Sequence, residues 1–285
     1  MRFLKTFFSS LYKKIQPVNF LDHPVVSRRL FFPRQKNTRP NFIVDTGEAT
    51  LGCHLFPVDP TLATLVHFHG NGELAYDYIE TGHSKVFTSL GINVCFAEYR
   101  GFGASSSRPT LVAMKDDGEH IVRKLNVAPE KVIVFGRSLG SLYAIELADR
   151  LPQIAGLILE SAVADLLEDT RLDNQARRLR VSKEALVEGV RREFDLKEKL
   201  QRFQGPLLIM HCENDSLVNK SHAERLLAWA GSKDKRLVLF QSGDHNTILR
   251  DNREDYSREL ETFIQRIGAS SAQREVSEKS KAAHY

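Results

Sequence analysis

Apolar positions change their period along this chain. Over residues 2–16 they recur at helical spacing. At about 100° per residue, Phe3, Leu4, Phe7, Phe8, Leu11, Tyr12 and Ile15 share one half of the wheel, and Arg2, Lys5, Thr6, Ser9, Lys13 and Gln16 the other. Pro17 closes that helix. From about residue 41 the rhythm becomes strand, turn, helix, repeated. Apolar runs at 42–44 and 51–56 flank Gly47-Glu48 and predict an antiparallel hairpin. Runs at 62–68, 92–99, 132–135, 154–159, 207–211 and 236–240 predict six further strands. Amphipathic stretches at 73–90, 109–125, 139–151, 221–230 and 252–267 predict the helices between them.

Continuous apolar strands alternating with helices imply a parallel sheet covered on both faces. Ligands of such sheets collect at the carboxyl ends of the strands. Here those ends are where Gly, Ser, His and Asp accumulate. Two segments fall outside the rhythm. Residues 163–204 carry two helical stretches and no strand signal, and are rich in arginine (Arg177, Arg178, Arg180, Arg191, Arg192). An insertion there would sit above the carboxyl edge as a lid. Residues 269–285 are Ser-, Ala- and charge-rich without periodicity and read as a disordered tail. The expected organisation is therefore a basic N-terminal segment, 1–40, then one domain over 41–268 with the insertion at 163–204, then the tail.

Composition adds limits. At 285 residues, with 42% hydrophobic and 27% charged positions, the chain can bury a large core. Its net charge of +4 is too mild to argue for nucleic acid, and none is expected as a partner. The charge is uneven, however: residues 1–40 hold nine Lys/Arg against Asp22, so the rest of the chain is mildly acidic. A basic leader whose wheel carries phenylalanines beside lysines fits an interfacial membrane helix. A helix docked on its own domain, or a transit peptide, fits the same pattern. Cys53, Cys95 and Cys212 are odd in number and lack a CxxC spacing, so they read as buried residues of a reducing, cytoplasmic setting rather than a disulfide frame or metal site.

The chemistry centres on Gly136-Arg137-Ser138-Leu139-Gly140, which fits G-x-S-x-G between a predicted strand and a predicted helix. That spacing suits a serine held on a sharp strand-to-helix turn with its hydroxyl exposed at a helix N-terminus. A serine hydroxyl needs a base. His245 follows the last strand and so shares the carboxyl edge with Ser138. His69 lies in a glycine-containing turn suited to another task, and His211 ends a strand as a buried, hydrogen-bonded residue. A carboxylate must orient the histidine. Asp215 is favoured, with Glu213 and Asp165 as its rivals. Leu139 follows the nucleophile and would offer one oxyanion N–H. The loop after residues 62–68 would offer the second, from Asn71 in preference to Gly72.

Assembled in order, the motifs His69-Gly70-Asn71, Tyr99-Arg100-Gly101-Phe102-Gly103, the Ser138 turn, Asp215 and Ser242-Gly243-Asp244-His245-Asn246 resemble those of α/β-hydrolase domain proteins over about residues 41–268. The resemblance implies an α/β-hydrolase fold: a mostly parallel central sheet flanked by helices, with a short helical lid insertion. It implies a serine hydrolase of ester, thioester or amide bonds, without cofactor, acting on a small acyl ester or thioester. Serine at the turn argues against the epoxide hydrolases and dehalogenases of this fold, which place aspartate there. The Arg-rich insertion and basic leader depart from the family pattern, and leave the substrate open. A non-catalytic relative that only binds a ligand or partner is the rival reading.

Overall fold

The computed structural model describes residues 19–170 and 172–282. An eight-stranded sheet forms its centre: β1 (Phe42–Asp45), β2 (Thr50–Phe56), β3 (Thr64–Phe68), β4 (Asn93–Ala97), β5 (Val132–Arg137), β6 (Gly156–Glu160), β7 (Leu207–Cys212) and β8 (Lys235–Phe240). Their spatial order is β1-β2-β4-β3-β5-β6-β7-β8. The first two strands pair antiparallel with each other, β2 pairs antiparallel with β4, and the rest are parallel. All eight strands fall on the predicted runs. Every residue of β3, β4, β5, β6 and β7 is buried, because helices cover both faces. Side chains alternate between two apolar layers. Val66, Val134, Leu157 and Ile209 pack on one face, and Leu65, Ile133, Ile158 and Met210 on the other. At the edge, β8 exposes Lys235 and Arg236, charges that discourage pairing with another chain.

This order fixes where chemistry can occur. The chain leaves β3 toward β4 on one side and returns to β5 on the other, so the loops after β3 and β5 diverge and leave a crevice between them.

Four expectations are corrected. The domain does not begin at residue 41. Leu21, Val26, Leu30 and Phe31 are buried in the main core, and helix Pro24–Leu30 packs against the 3-10 turn Leu172–Gln175 of the insertion. Residues 269–285 are not an unstructured tail throughout, since the backbone of the last helix runs Arg253–Ala282. Its Ala, Gln, Glu, Lys and Arg content favours helix even without an apolar stripe. The stretch 73–90 forms two helices, Ala75–Glu80 and Ser84–Thr88, broken where Gly82 takes φ +75°. Among its described residues the insertion comprises five helical pieces rather than two stretches, the last of which, Leu196–Arg202, lies on helix Gly140–Arg150. The predicted helix over 2–16 lies outside the described residues. Among those described, no helix is long and apolar enough to cross a membrane. The three cysteines are buried and unbridged.

Candidate active site

Strand β5 ends at Arg137, and the chain turns into helix Gly140–Arg150 through Ser138, whose φ is +49°. A non-glycine residue pays a local strain to sit there, which the surroundings must over-determine. They do so through two glycines. A Cβ on Gly136 would stand 2.5 Å from that of Ala144, and one on Gly140 would stand 2.3 Å from the Phe68 carbonyl oxygen. The helix can therefore start only because both positions lack a side chain. Hydrogen bonds complete the turn: Ser138 N–H donates to Glu160 O at 2.9 Å, and Ser141 Oγ donates to Ser138 O at 2.6 Å.

The Ser138 hydroxyl is 2.9 Å from His245 Nε2, and His245 Nδ1 is 2.8 Å from Asp215 Oδ2. With Nδ1–H donating to the carboxylate, Nε2 is left as the acceptor for the serine proton. Asp215 is itself held by the N–H groups of Leu217 and Val218, which donate to its Oδ1 at 2.9 and 2.7 Å. Burial pushes its carboxyl pKa up, but the hydrogen bond and charge of His245 and the Val218 N–H more than offset this, and it lies below the ordinary value. The rivals are occupied elsewhere. Glu213 pairs with Lys220, and Asp165 accepts from Leu167 N–H.

Asp244 ties the loops that carry Asp215 and His245 together, a contact its place in the motif did not announce. It accepts from Ser216 N–H at 2.6 Å, Ser216 Oγ at 2.7 Å and His245 N–H at 2.7 Å. These donors bring its pKa down to about 2. His211 donates from Nε2 to Val218 O at 2.8 Å, as a buried structural histidine should.

The loop after β3 is built around His69, whose Nδ1 and Nε2 face Gly70 O at 2.8 Å and Glu98 Oε1 at 2.7 Å. Two acceptors call for two N–H donors, so this ring is an imidazolium. Burial alone would lower its pKa, and the Glu98 carboxylate raises it above the usual value. His69 is thus a clasp and not a base. Asn71 uses its side chain to bind the N-terminal segment: Nδ2 donates to Leu30 O and Oδ1 accepts from Phe32 N–H. The main-chain N–H groups of Asn71 and Leu139 donate to nothing else among the described residues. Arg100 is committed to Asp117 and Glu48 and is not free to receive an anionic substrate.

The strand order, with its sharp turn at the carboxyl end of β5, defines the class: this is an α/β hydrolase. A family profile described as "Serine aminopeptidase, S33" matches residues 59–171 and 164–253, well over half the chain, and the chain belongs to that family. It is similar to the "Uncharacterized protein YfhR" of Escherichia coli (strain K12), 27% identical over 218 residues that cover 71% of this chain and 70% of that one. It is also similar to the human "Alpha/beta hydrolase domain-containing protein 17B", 26% identical over 199 residues, 66% of this chain and 63% of that one. Among solved structures it resembles a monoacylglycerol lipase of Paleococcus ferrophilus, with TM-score 0.61, 19% identity, and 76% and 99% of the two chains covered. The esterase EaEST of Exiguobacterium antarcticum gives TM-score 0.60, 18% identity, and 79% and 99%. At such identities both likenesses speak for the fold.

Proposed function

We propose that this α/β hydrolase is a serine enzyme that cleaves carboxylic ester or thioester bonds through an acyl-enzyme on Ser138. One observation carries the reading: the connected line of Asp215, His245 and Ser138, with 2.8 and 2.9 Å between successive atoms. In the proposed cycle His245 Nε2 takes the hydroxyl proton as Ser138 Oγ attacks the acyl carbon. Asp215 stabilises the imidazolium that forms, and the N–H groups of Leu139 and Asn71 receive the oxyanion. His245 then returns the proton to the leaving oxygen or sulfur. Water, deprotonated by the same nitrogen, releases the acid. The insertion at 163–204 would serve as a lid over the acyl group.

The test is labelling with a fluorophosphonate probe and turnover of matched substrates. Wild type is expected to label and to hydrolyse p-nitrophenyl esters, and Ser138→Ala to lose labelling and about 10⁴-fold or more in kcat. Probe incorporation that persists in Ser138→Ala refutes the assignment. The family description favours an amidase or peptidase as the second reading. Faster cleavage of an amide than of its matched ester would select it.

The partner surface we propose is an anionic membrane. Arg28 and Arg29 in helix Pro24–Leu30, and Arg177, Arg178 and Arg180 in and after helix Ala176–Leu179, are exposed and have no carboxylate partner among the described residues. The basic, amphipathic sequence over 2–16 would add to the attraction.

A further inference from the structure

The residue between Gly136 and Ser138 can be anything as far as the turn itself is concerned. Here it is Arg137, 7% exposed, at the end of a buried strand. Burying a guanidinium is costly unless its N–H groups are matched, and these are. Nε meets Glu160 Oε1 at 2.9 Å, Nη1 meets Glu73 Oε1, and Nη2 donates to His245 O at 2.7 Å and to Asn246 Oδ1 at 3.2 Å.

Each partner belongs to a different part of the site. Glu160 ends β6, its main-chain oxygen holds Ser138 N–H, and its side chain also accepts from Tyr256 OH. Glu73 accepts from Gly70 N–H at 2.8 Å and from Tyr78 OH at 3.1 Å, so it shapes the loop that carries Asn71. His245 is held directly through its main chain. Gly70 makes room for this arrangement, since a Cβ there would stand 2.4 Å from Arg137 Nη1. One planar fork therefore joins the loop after β3, the turn after β5, the end of β6 and the loop after β8.

From this geometry we infer that Arg137 is a positioning residue that sets Ser138, His245 and the Asn71 loop in mutual register for the acyl transfer proposed above, on which this inference rests. It touches no reacting atom. Its effect is on geometry, where an ångström of misplacement costs about 100-fold in rate. A cavity of about 320 Å³ borders the network, lined by Arg137, Glu73, Glu160 and Asn246 and by the exposed Arg34 and Arg250. Truncating Arg137 would extend that cavity into the space of the guanidinium, and so open the vacated site to a small planar cation.

The experiment compares wild type, Arg137→Lys and Arg137→Ala, with and without guanidinium chloride at tens of millimolar, far below denaturing levels. Sodium chloride serves as the ionic control. Steady-state kinetics and the rate of fluorophosphonate labelling are both read. Arg137→Ala is expected to lose about 100-fold in kcat with KM unchanged, and to label correspondingly slowly. Lysine, which keeps the charge but not the fork, recovers only a small part of the loss. Guanidinium, unlike sodium, restores about tenfold or more to Arg137→Ala and does nothing for wild type. A folded Arg137→Ala with wild-type kcat overturns the inference, as does a loss that guanidinium cannot relieve. If the truncation does not fold because Glu73 and Glu160 are left facing each other, the triple variant Arg137→Met, Glu73→Gln, Glu160→Gln removes the charges together. Full kcat in that variant overturns the inference, and reduced kcat with unchanged KM upholds it. Wild type that neither labels nor turns over defeats the hydrolase reading instead, so the two failures are told apart.

Discussion

His67 lies in the middle of β3, its ring stacked on Phe135 at 4.5 Å and bordered by Tyr78, Phe87 and Phe96, and neither ring nitrogen has a hydrogen-bond partner. Burial first, then the charges of His69 and Arg137, hold its pKa well below the ordinary histidine value. The native ring is therefore neutral, whereas the unfolded chain binds a proton below about pH 6.5. Unfolding takes up that proton, so the contribution is fully present above the unfolded pKa and shrinks as the pH falls below it. Replacing His67 by Phe removes the penalty. The variant should gain about 2 kcal/mol relative to wild type between pH 8 and pH 5, as urea titrations at both values would measure. An equal loss of stability on acidification in the two proteins would refute this. At this scale the sequence was legible where position constrains chemistry. Ser138, Asp215 and His245 stand just past the ends of apolar runs on one edge of the sheet, and the order of runs places them together. Nothing in the run at 62–68 separates His67 from the apolar residues around it. Arg137 was invisible for a related reason. It occupies a variable position of its motif, and its partners Glu73, Glu160 and His245 are defined by tertiary convergence and not by spacing.

Among the elements, the insertion is held more tightly at its second half than a hinged lid would be. Lys199 Nζ, in helix Leu196–Arg202, donates to Glu146 Oε2 at 2.5 Å and to Glu193 O at 2.8 Å. Lys115 Nζ donates to the same Glu193 carbonyl at 3.1 Å. Two ammonium groups thus neutralise the C-terminal end of helix Lys183–Glu193, where the helix dipole is negative. Any opening of this insertion must be confined to the pieces before residue 183. Lys199→Met breaks the buried pair and should cost about 3 kcal/mol, at the low end for such changes because Arg150 still meets Glu146. The kcat should not change, as the pair shares no hydrogen bond with Ser138, His245 or Asp215; denaturant unfolding beside ester turnover checks both. A kcat loss equal to that of the Arg137 variants would mean that the anchor governs the site. The eight strands were legible because β3 to β7 are buried on both faces, and such strands read as uninterrupted apolar runs. The N-terminal packing was not, since Leu21, Val26, Leu30 and Phe31 are spread through a basic stretch too short to show a period. The extent of the last helix was missed because helix propensity without an apolar stripe leaves no pattern to follow.

At the level of the whole molecule, the net charge of +4 conceals a separation, with the basic excess concentrated in the first 40 residues. Helix Pro24–Leu30 packs against Leu172–Gln175, which packs in turn against the next helix, Ala176–Leu179, so Arg28, Arg29, Arg177, Arg178 and Arg180 belong to elements linked through that 3-10 turn. Each basic side chain near an anionic bilayer contributes about 1 kcal/mol, and the attraction falls off within a Debye length. The 285-residue chain is therefore expected to sediment with phosphatidylserine-containing vesicles at low salt, much less with neutral ones, and to be released as ionic strength rises. Reversing the five arginines to glutamate should lower vesicle affinity by more than about tenfold while leaving turnover of a soluble ester as in wild type. Deleting residues 1–18 in a parallel arm separates the contribution of the leader from that of the folded face. Were the reversal variant to bind as well as wild type while the deletion abolished binding, the leader alone would carry the interaction and the arginines would be ordinary solvated charges. Wild type that ignores lipid charge altogether would remove the membrane from the account, and leave the arginine-rich face without this role.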